Sequence, residues 1–185
     1  NVKNFLNNIE SIDWTDLKPE TSKKYSEKYG IKNLSVEELL SNEDIQLVIN
    51  LTIPNAHFEV SKSILNSGKH SYSEKPISIE FEDGKELFNL AKSKNLYVGS
   101  APDTFLGAGI QKSKQVIEDG TIGEIVLGSI SMGVAGHEIW HPNPDFYYKY
   151  GGGPIFDMGP YYFSALVNLL GLVKCVYSQS RTVYS

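Results

Sequence analysis

The chain has 185 residues, 41% of them hydrophobic, with a formal charge of -5 and a pI near 5.4. That length suits one ordinary domain or two small ones with enough apolar side chain for a core. The acidic balance, with no Lys/Arg run longer than a pair, argues against a nucleic-acid partner, and no apolar stretch reaches the roughly 18 residues of a membrane-spanning helix. The N-terminus shows no charged start followed by an apolar run, and the lone Cys175 has no partner for an internal disulfide. A cytoplasmic protein is expected.

Taken in chain order, residues 1–10 read as the tail of a helix and SIDWTD as a strand. Pro19 suits the first turn of a helix that Gly30 ends, and Ser35 with Glu38 forms a capping box for a short helix through Leu40. IQLVINL is the apolar run of a strand buried on both faces of a parallel sheet. TIPN breaks it, and AHFEVSKSILNSG reads as a helix closed by Gly68. Strand HSYS, a break at Pro76, a helix over 80–94 and strand LYVG complete a βαβ alternation. From Phe105 the pattern changes: a helix ends near DGTIG, the β-like run EIVLGSISMGVA follows, and an aromatic loop leads to GGGPIFDMGPYYFSALVNLLG. VKCVYSQS and RTVYS read as further strands.

INLTIPNAHFEV, GKHSYSEKPIS, GSAPDTFLGAG, DGTIGEI and GGGPIFDMGPYY, in this order and spacing, resemble the glucose-fructose oxidoreductase and inositol dehydrogenase (Gfo/Idh/MocA) family over nearly the whole chain. The resemblance implies an α/β protein with an N-terminal Rossmann domain, residues 1–101, that binds NAD or NADP. It implies a second domain, residues 102–185, with an open, mainly antiparallel sheet that holds a sugar or polyol substrate and joins subunits into a homo-oligomer. The family begins with a strand and a G-x-G-x-x-G turn that this sequence lacks. Because the first strand is central in a doubly wound sheet, and each unpaired buried backbone group costs about 1 to 3 kcal/mol, the chain is expected to be a fragment of both domains.

The motifs then acquire chemical roles. Asp16, after the second strand of the family fold, stands where a carboxylate accepts ribose hydroxyls, which favours NAD over NADP; Lys18 weakens that preference, and a turn or helix-capping aspartate explains the position equally well. By resemblance Thr52, Pro54, Asn55 and His57 line the cofactor cleft, although Asn55 also suits a helix N-cap and His57 a first-turn residue. Lys75 of the Glu74-Lys75-Pro76 triplet is implied to hydrogen-bond the oxygen that changes charge during hydride transfer, or to relay its proton. Glu74 holds the ribose or orients Lys75, and Pro76 shapes the turn; without the surrounding matches the triplet is an ordinary solvated turn.

Asp157 and Tyr161 are one turn apart, on one face at the start of an apolar helix, and are expected to meet the substrate. Relatives commonly carry histidine where this chain has Tyr161, so the tyrosine takes the acid/base place beside Lys75, or is a core residue next to a capping aspartate. The loop GHEIWHPNPDFYYKY offers Trp140 and His141 as sugar contacts, or packs on itself. His137, Glu138 and His141 spell H-E-x-x-H, but the prolines that follow deny the helix a zinc site needs, so no metal is expected. Asp103 lies where substrate and cofactor could meet, or caps a helix starting at Thr104. Three glycines at 151–153 let the backbone pass close to substrate. The reaction implied is hydride transfer between NAD(P) and a carbinol or carbonyl carbon of a sugar or polyol; the alternatives are an NAD-assisted glycosidase and a non-catalytic dinucleotide or sugar sensor.

Overall fold

The computed structural model describes residues 13–142 and 144–181. The expected helix over 1–10 and the strand RTVYS, except for its first residue, lie outside the described residues. Two parallel sheets form the first half. In one, β1 (Asp13–Trp14) pairs with β2 (Lys32–Asn33); in the other, β3 (Leu47–Asn50), β4 (His70–Ser73) and β5 (Val98–Ser100) lie in that order.

Local signals decide the helices between these strands. Helix α1 (Pro19–Tyr29) starts on its proline and ends at Gly30, whose φ of 63° is the left-handed conformation that ends helices. Helix α2 (Val36–Ser41) carries the full capping box: the Ser35 hydroxyl accepts the Glu38 amide at 3.1 Å, and the Glu38 carboxylate accepts the Ser35 amide at 2.8 Å. Helices α3 (His57–Asn66) and α4 (Phe81–Ser93) pack against each other and against one face of the three-stranded sheet. Their contact is the core: Leu65, Leu87 and Ala91 are buried, with Phe58, Ile77, Leu90, Leu96 and Val98 around them.

Two strand expectations are corrected. Asn50, Ser71 and Ser73 face the helices and are buried, whereas Leu47 and Ile49 on the opposite face are 50% and 56% exposed, because α3 and α4 cover one face only. The runs expected as strands at 124–135 and 173–180 form no ladder among the described residues. An apolar, β-rich run becomes a strand only when another backbone offers it N–H and C=O groups at the right register. In this half the packed elements are the 3₁₀ turn Thr104–Leu106 and the helices α5 (Ala108–Glu118), α6 (Gly153–Asp157) and α7 (Gly159–Leu170). No described helix is long and apolar enough to cross a membrane.

Replacing the fully buried Leu87 by Ala leaves a cavity between α3, α4 and β5, and is expected to destabilise the fold by about 2 to 5 kcal/mol in urea denaturation followed by circular dichroism.

Candidate functional site

Beyond Ser73 the ladder continues: Glu74 donates its amide to Asn50 O and Ala101 donates to Ser73 O, each at 2.9 Å. Glu74 is thereby fixed at the carboxyl edge of the sheet, where open α/β sheets receive ligands. The exposed Glu74 carboxylate accepts the amide of Lys75 at 3.1 Å, and the Lys75–Pro76 peptide bond is cis. From here the lysine reaches across to the second half, where Nζ donates to Oδ1 of Asp157 at 2.5 Å and to its carbonyl oxygen at 2.6 Å. The side chains are only 15% and 24% exposed, so little water screens the pair. The ring of Tyr161 lies 5.3 Å from the same Nζ, within cation–π range.

Asp157 and Tyr161 do not share one helix, as their spacing predicts. Asp157 closes α6 and Tyr161 sits in the first turn of α7. Pro160 makes the break, because it has no N–H for the carbonyl of Phe156 and its ring crowds that turn. Tyr161 then donates its amide to Met158 O at 3.1 Å. The carbonyl of Asp157 is left without a helical donor, and Lys75 supplies one. Tyr161 meets Lys75 through its ring face, and no hydrogen bond joins its hydroxyl to another described residue.

Sequence reasoning gives His137 no role beyond the H-E-x-x-H pattern, yet the fold places it on the same carboxylate. Its Nε2 is 3.3 Å from Asp157 Oδ2, and the residue is 5% exposed. The imidazole stacks on Tyr147 with ring centroids 3.7 Å apart and planes 22° apart, and Trp140 closes another side at 4.9 Å. Burial first, and then the charge of Asp157, hold the Tyr147 phenol above its usual pKa. Of the two loop residues singled out from sequence, Trp140 is exposed and His141 packs against Phe146, with ring centroids 4.9 Å apart. Glu138 accepts the Tyr148 hydroxyl, which lowers the carboxyl pKa and raises the phenol's. Among the described residues no group of three His, Cys, Asp or Glu side chains could hold a metal ion.

Two of the glycines at 151–153 are required by the chain's own packing. Gly151 has a φ of 80° and lies against Ile79, and a Cβ on Gly152 would run into the carbonyl oxygens of Phe146 and Tyr147, the latter at 2.7 Å. The loop therefore folds back tightly enough to set His137 and Tyr147 beside the end of α6.

On the other side of Lys75, Asn50 organises the TIPN turn. Its Oδ1 accepts the Thr52 amide at 3.2 Å and the Thr52 hydroxyl at 2.7 Å, while its Nδ2 donates to His57 O and Ser61 Oγ, both at 3.1 Å. His57 is fully buried, with Nε2 2.9 Å from Thr52 O and Nδ1 2.5 Å from Pro76 O. That burial removes it from the cleft surface expected from sequence; it ties the TIPN turn to the Lys75–Pro76 turn instead. Pro54 and Asn55 lie in a 3₁₀ turn with Asn55 exposed, and neither gives α3 a side-chain cap. Asp103 is exposed in the turn after β5; burial first, and then its charge and that of Glu74, raise the pKa of Tyr72. Asp16 stands after β1 with Oδ1 accepting the Lys18 amide at 2.7 Å, the local turn bond that its spacing allows.

These residues fit a dinucleotide at its two ends. Asp16, Thr52, Glu74 and the turn after β5 all lie at or just past carboxyl ends of parallel strands, and the half-buried Asp16 and exposed Glu74 carboxylates suit ribose hydroxyls. The described residues contain no glycine-rich turn between a strand and a helix for the diphosphate.

Residues 2–101 match the oxidoreductase family with an NAD-binding Rossmann fold, Gfo/Idh/MocA, and residues 110–185 match a Gfo/Idh/MocA C-terminal domain. An uncharacterized oxidoreductase of Schizosaccharomyces pombe is 33% identical over 141 residues, covering 74% of this chain and 37% of the relative. A D-xylose dehydrogenase of Paenarthrobacter nicotinovorans is 21% identical over 167 residues, covering 86% of this chain and 43% of the relative. The structure of a levoglucosan dehydrogenase in complex with NADH and levoglucosan superposes with a TM-score of 0.68 at 22% identity, over 85% of this chain and 44% of the other. The chain thus spans less than half of each.

Substituting Gly152 by Ala drives a methyl group into two backbone carbonyls that cannot rotate away, and is expected to cost about 1 to 3 kcal/mol of stability in thermal or urea unfolding.

Proposed function

The chain belongs to the Gfo/Idh/MocA family of NAD-binding oxidoreductases, and from that premise we propose that the whole protein transfers a hydride between NAD(P) and a carbinol or carbonyl carbon of a sugar or polyol. One observation carries this reading: the Lys75 ammonium, set at the carboxyl edge of the Rossmann-type sheet, is anchored on Asp157 of the other half. The bound nicotinamide supplies the hydride acceptor or donor, and the chain supplies the handling of oxygen and proton.

Two of the three N–H donors of Lys75 are engaged by Asp157, which leaves one for a substrate oxygen. In carbonyl reduction that N–H stabilises the negative charge growing on oxygen and passes its proton there, leaving a neutral amine. In alcohol oxidation the neutral amine takes the hydroxyl proton as the C–H bond is lost. Tyr161 borders the same space with a free hydroxyl and serves as the second proton carrier or as a substrate hydrogen bond. The exposed Trp140 ring offers a stacking face to a sugar, and Asp103 an acceptor for its hydroxyls. Asp16 directs the cofactor choice toward NAD, because its carboxylate accepts ribose hydroxyls and repels a 2′-phosphate. Subunits of the whole protein pair through the second-half runs 124–135 and 173–180, forming a homo-oligomer.

A panel of aldoses, anhydrosugars and polyols that includes D-xylose and levoglucosan, assayed for NAD and NADP reduction at 340 nm, is expected to yield a substrate. Lys75→Met should then lower kcat by about 10² to 10⁴ while NADH binding, followed by fluorescence, stays within about threefold. Sugar release without NADH accumulation would redirect the assignment to a glycosidase, and tight NADH binding without turnover of any sugar to a sensor.

A further inference from the structure

The Lys75–Asp157 pair engages only one of the two carboxylate oxygens. A carboxylate held by one oxygen turns about its Cβ–Cγ bond, and the lysine contact would turn with it. The other oxygen, Oδ2, faces Nε2 of His137 at 3.3 Å. His137 cannot touch substrate, since it is 5% exposed and its ring lies under Tyr147 with Trp140 and Phe146 on its edges. Its Nδ1 is buried with no hydrogen-bond partner among the described residues. This orphaned nitrogen identifies the tautomer. A proton on Nδ1 would bury an unpaired N–H and turn the Nε2 lone pair toward a carboxylate oxygen; a proton on Nε2 leaves only a lone pair among the rings and aims a donor at Asp157.

We infer that His137 is a positioning residue, whose Nε2–H holds Oδ2 of Asp157 so that Oδ1 and the Asp157 carbonyl stay on Lys75. The stack on Tyr147 prevents the ring from flipping, and the turn in which His137 O accepts the amides of Trp140 and His141, at 3.2 and 2.8 Å, fixes its backbone. The kinetic part of this assignment rests on the function proposed above; the geometric part stands without it.

The test uses the whole protein with two replacements. His137→Gln keeps a side-chain N–H within reach of Oδ2, and His137→Phe fills the aromatic slot without a donor. In ¹⁵N-lysine NMR, the Lys75 ammonium signal, assigned by its loss in Lys75→Arg, is expected to be protected from exchange in the wild type and in His137→Gln, and lost to fast exchange in His137→Phe. With the best sugar of the panel, His137→Phe should lower kcat by about ten- to a hundredfold with KM within about threefold, and His137→Gln should restore it to within about threefold of wild type. An unchanged Lys75 signal in His137→Phe, or equal impairment of both variants in proportion to a lowered Tm, overturns the assignment and leaves a packing histidine. If no sugar is oxidised by the wild type, the enzymatic reading fails, and the NMR comparison still decides the role of His137.

Discussion

The contact between Lys75 and Asp157 is the constraint around which the site is arranged. A half-buried ammonium is tolerable only with acceptors, and Asp157 offers two, a carboxylate oxygen at 2.5 Å and a carbonyl oxygen at 2.6 Å. The lysine belongs to the turn after β4 and the aspartate to the end of α6, so the same bonds that satisfy the charge join the Rossmann-type half to the second half. Breaking the pair by removing one partner would leave the other charge half-buried and unmatched, and the two halves would lose a registered point of contact.

Backbone chemistry makes the contact available. Pro160 interrupts what would otherwise be a continuous helix and releases the carbonyl of Asp157. Gly151 and Gly152 let the aromatic loop fold back on its own carbonyls, which brings His137 and Tyr147 to the carboxylate. On the sheet side, Asn50 uses its full side-chain hydrogen-bonding capacity to hold the TIPN turn, and His57 spans from that turn to Pro76. Proline, glycine, asparagine and buried histidine thus act at one remove, by setting where the backbone goes, and Lys75 inherits its position from them.

Other residues read from sequence keep a more local character. Asp16 is engaged with the Lys18 amide, Asn55 is exposed on a short turn, and Trp140 and Asp103 are surface groups. Their neighbourhood is open, and a ligand would complete their hydrogen bonding. The buried pair and its supports differ in this respect, because their partners are already inside the chain.

The sequence by itself determined what depends on near neighbours: the proline start and glycine end of α1, the capping box of α2, the parallel βαβ alternation, the family, and the place of Lys75 after β4. Those signals operate within a few residues, where backbone sterics and capping bonds dominate. Only the tertiary structure decided which groups meet over long separations. It put His137 on Asp157, buried His57, set Gly152 against the carbonyls of Phe146 and Tyr147, covered one face of β3 and left 124–135 without a ladder among the described residues. None of these is written in a spacing of three, four or two residues, because a through-space contact between distant segments depends on how every intervening element packs. The split of D-M-G-P-Y between two helices is the instructive case: the proline that causes it stands in plain sight, but the freed carbonyl has a consequence only once the fold delivers a lysine to it.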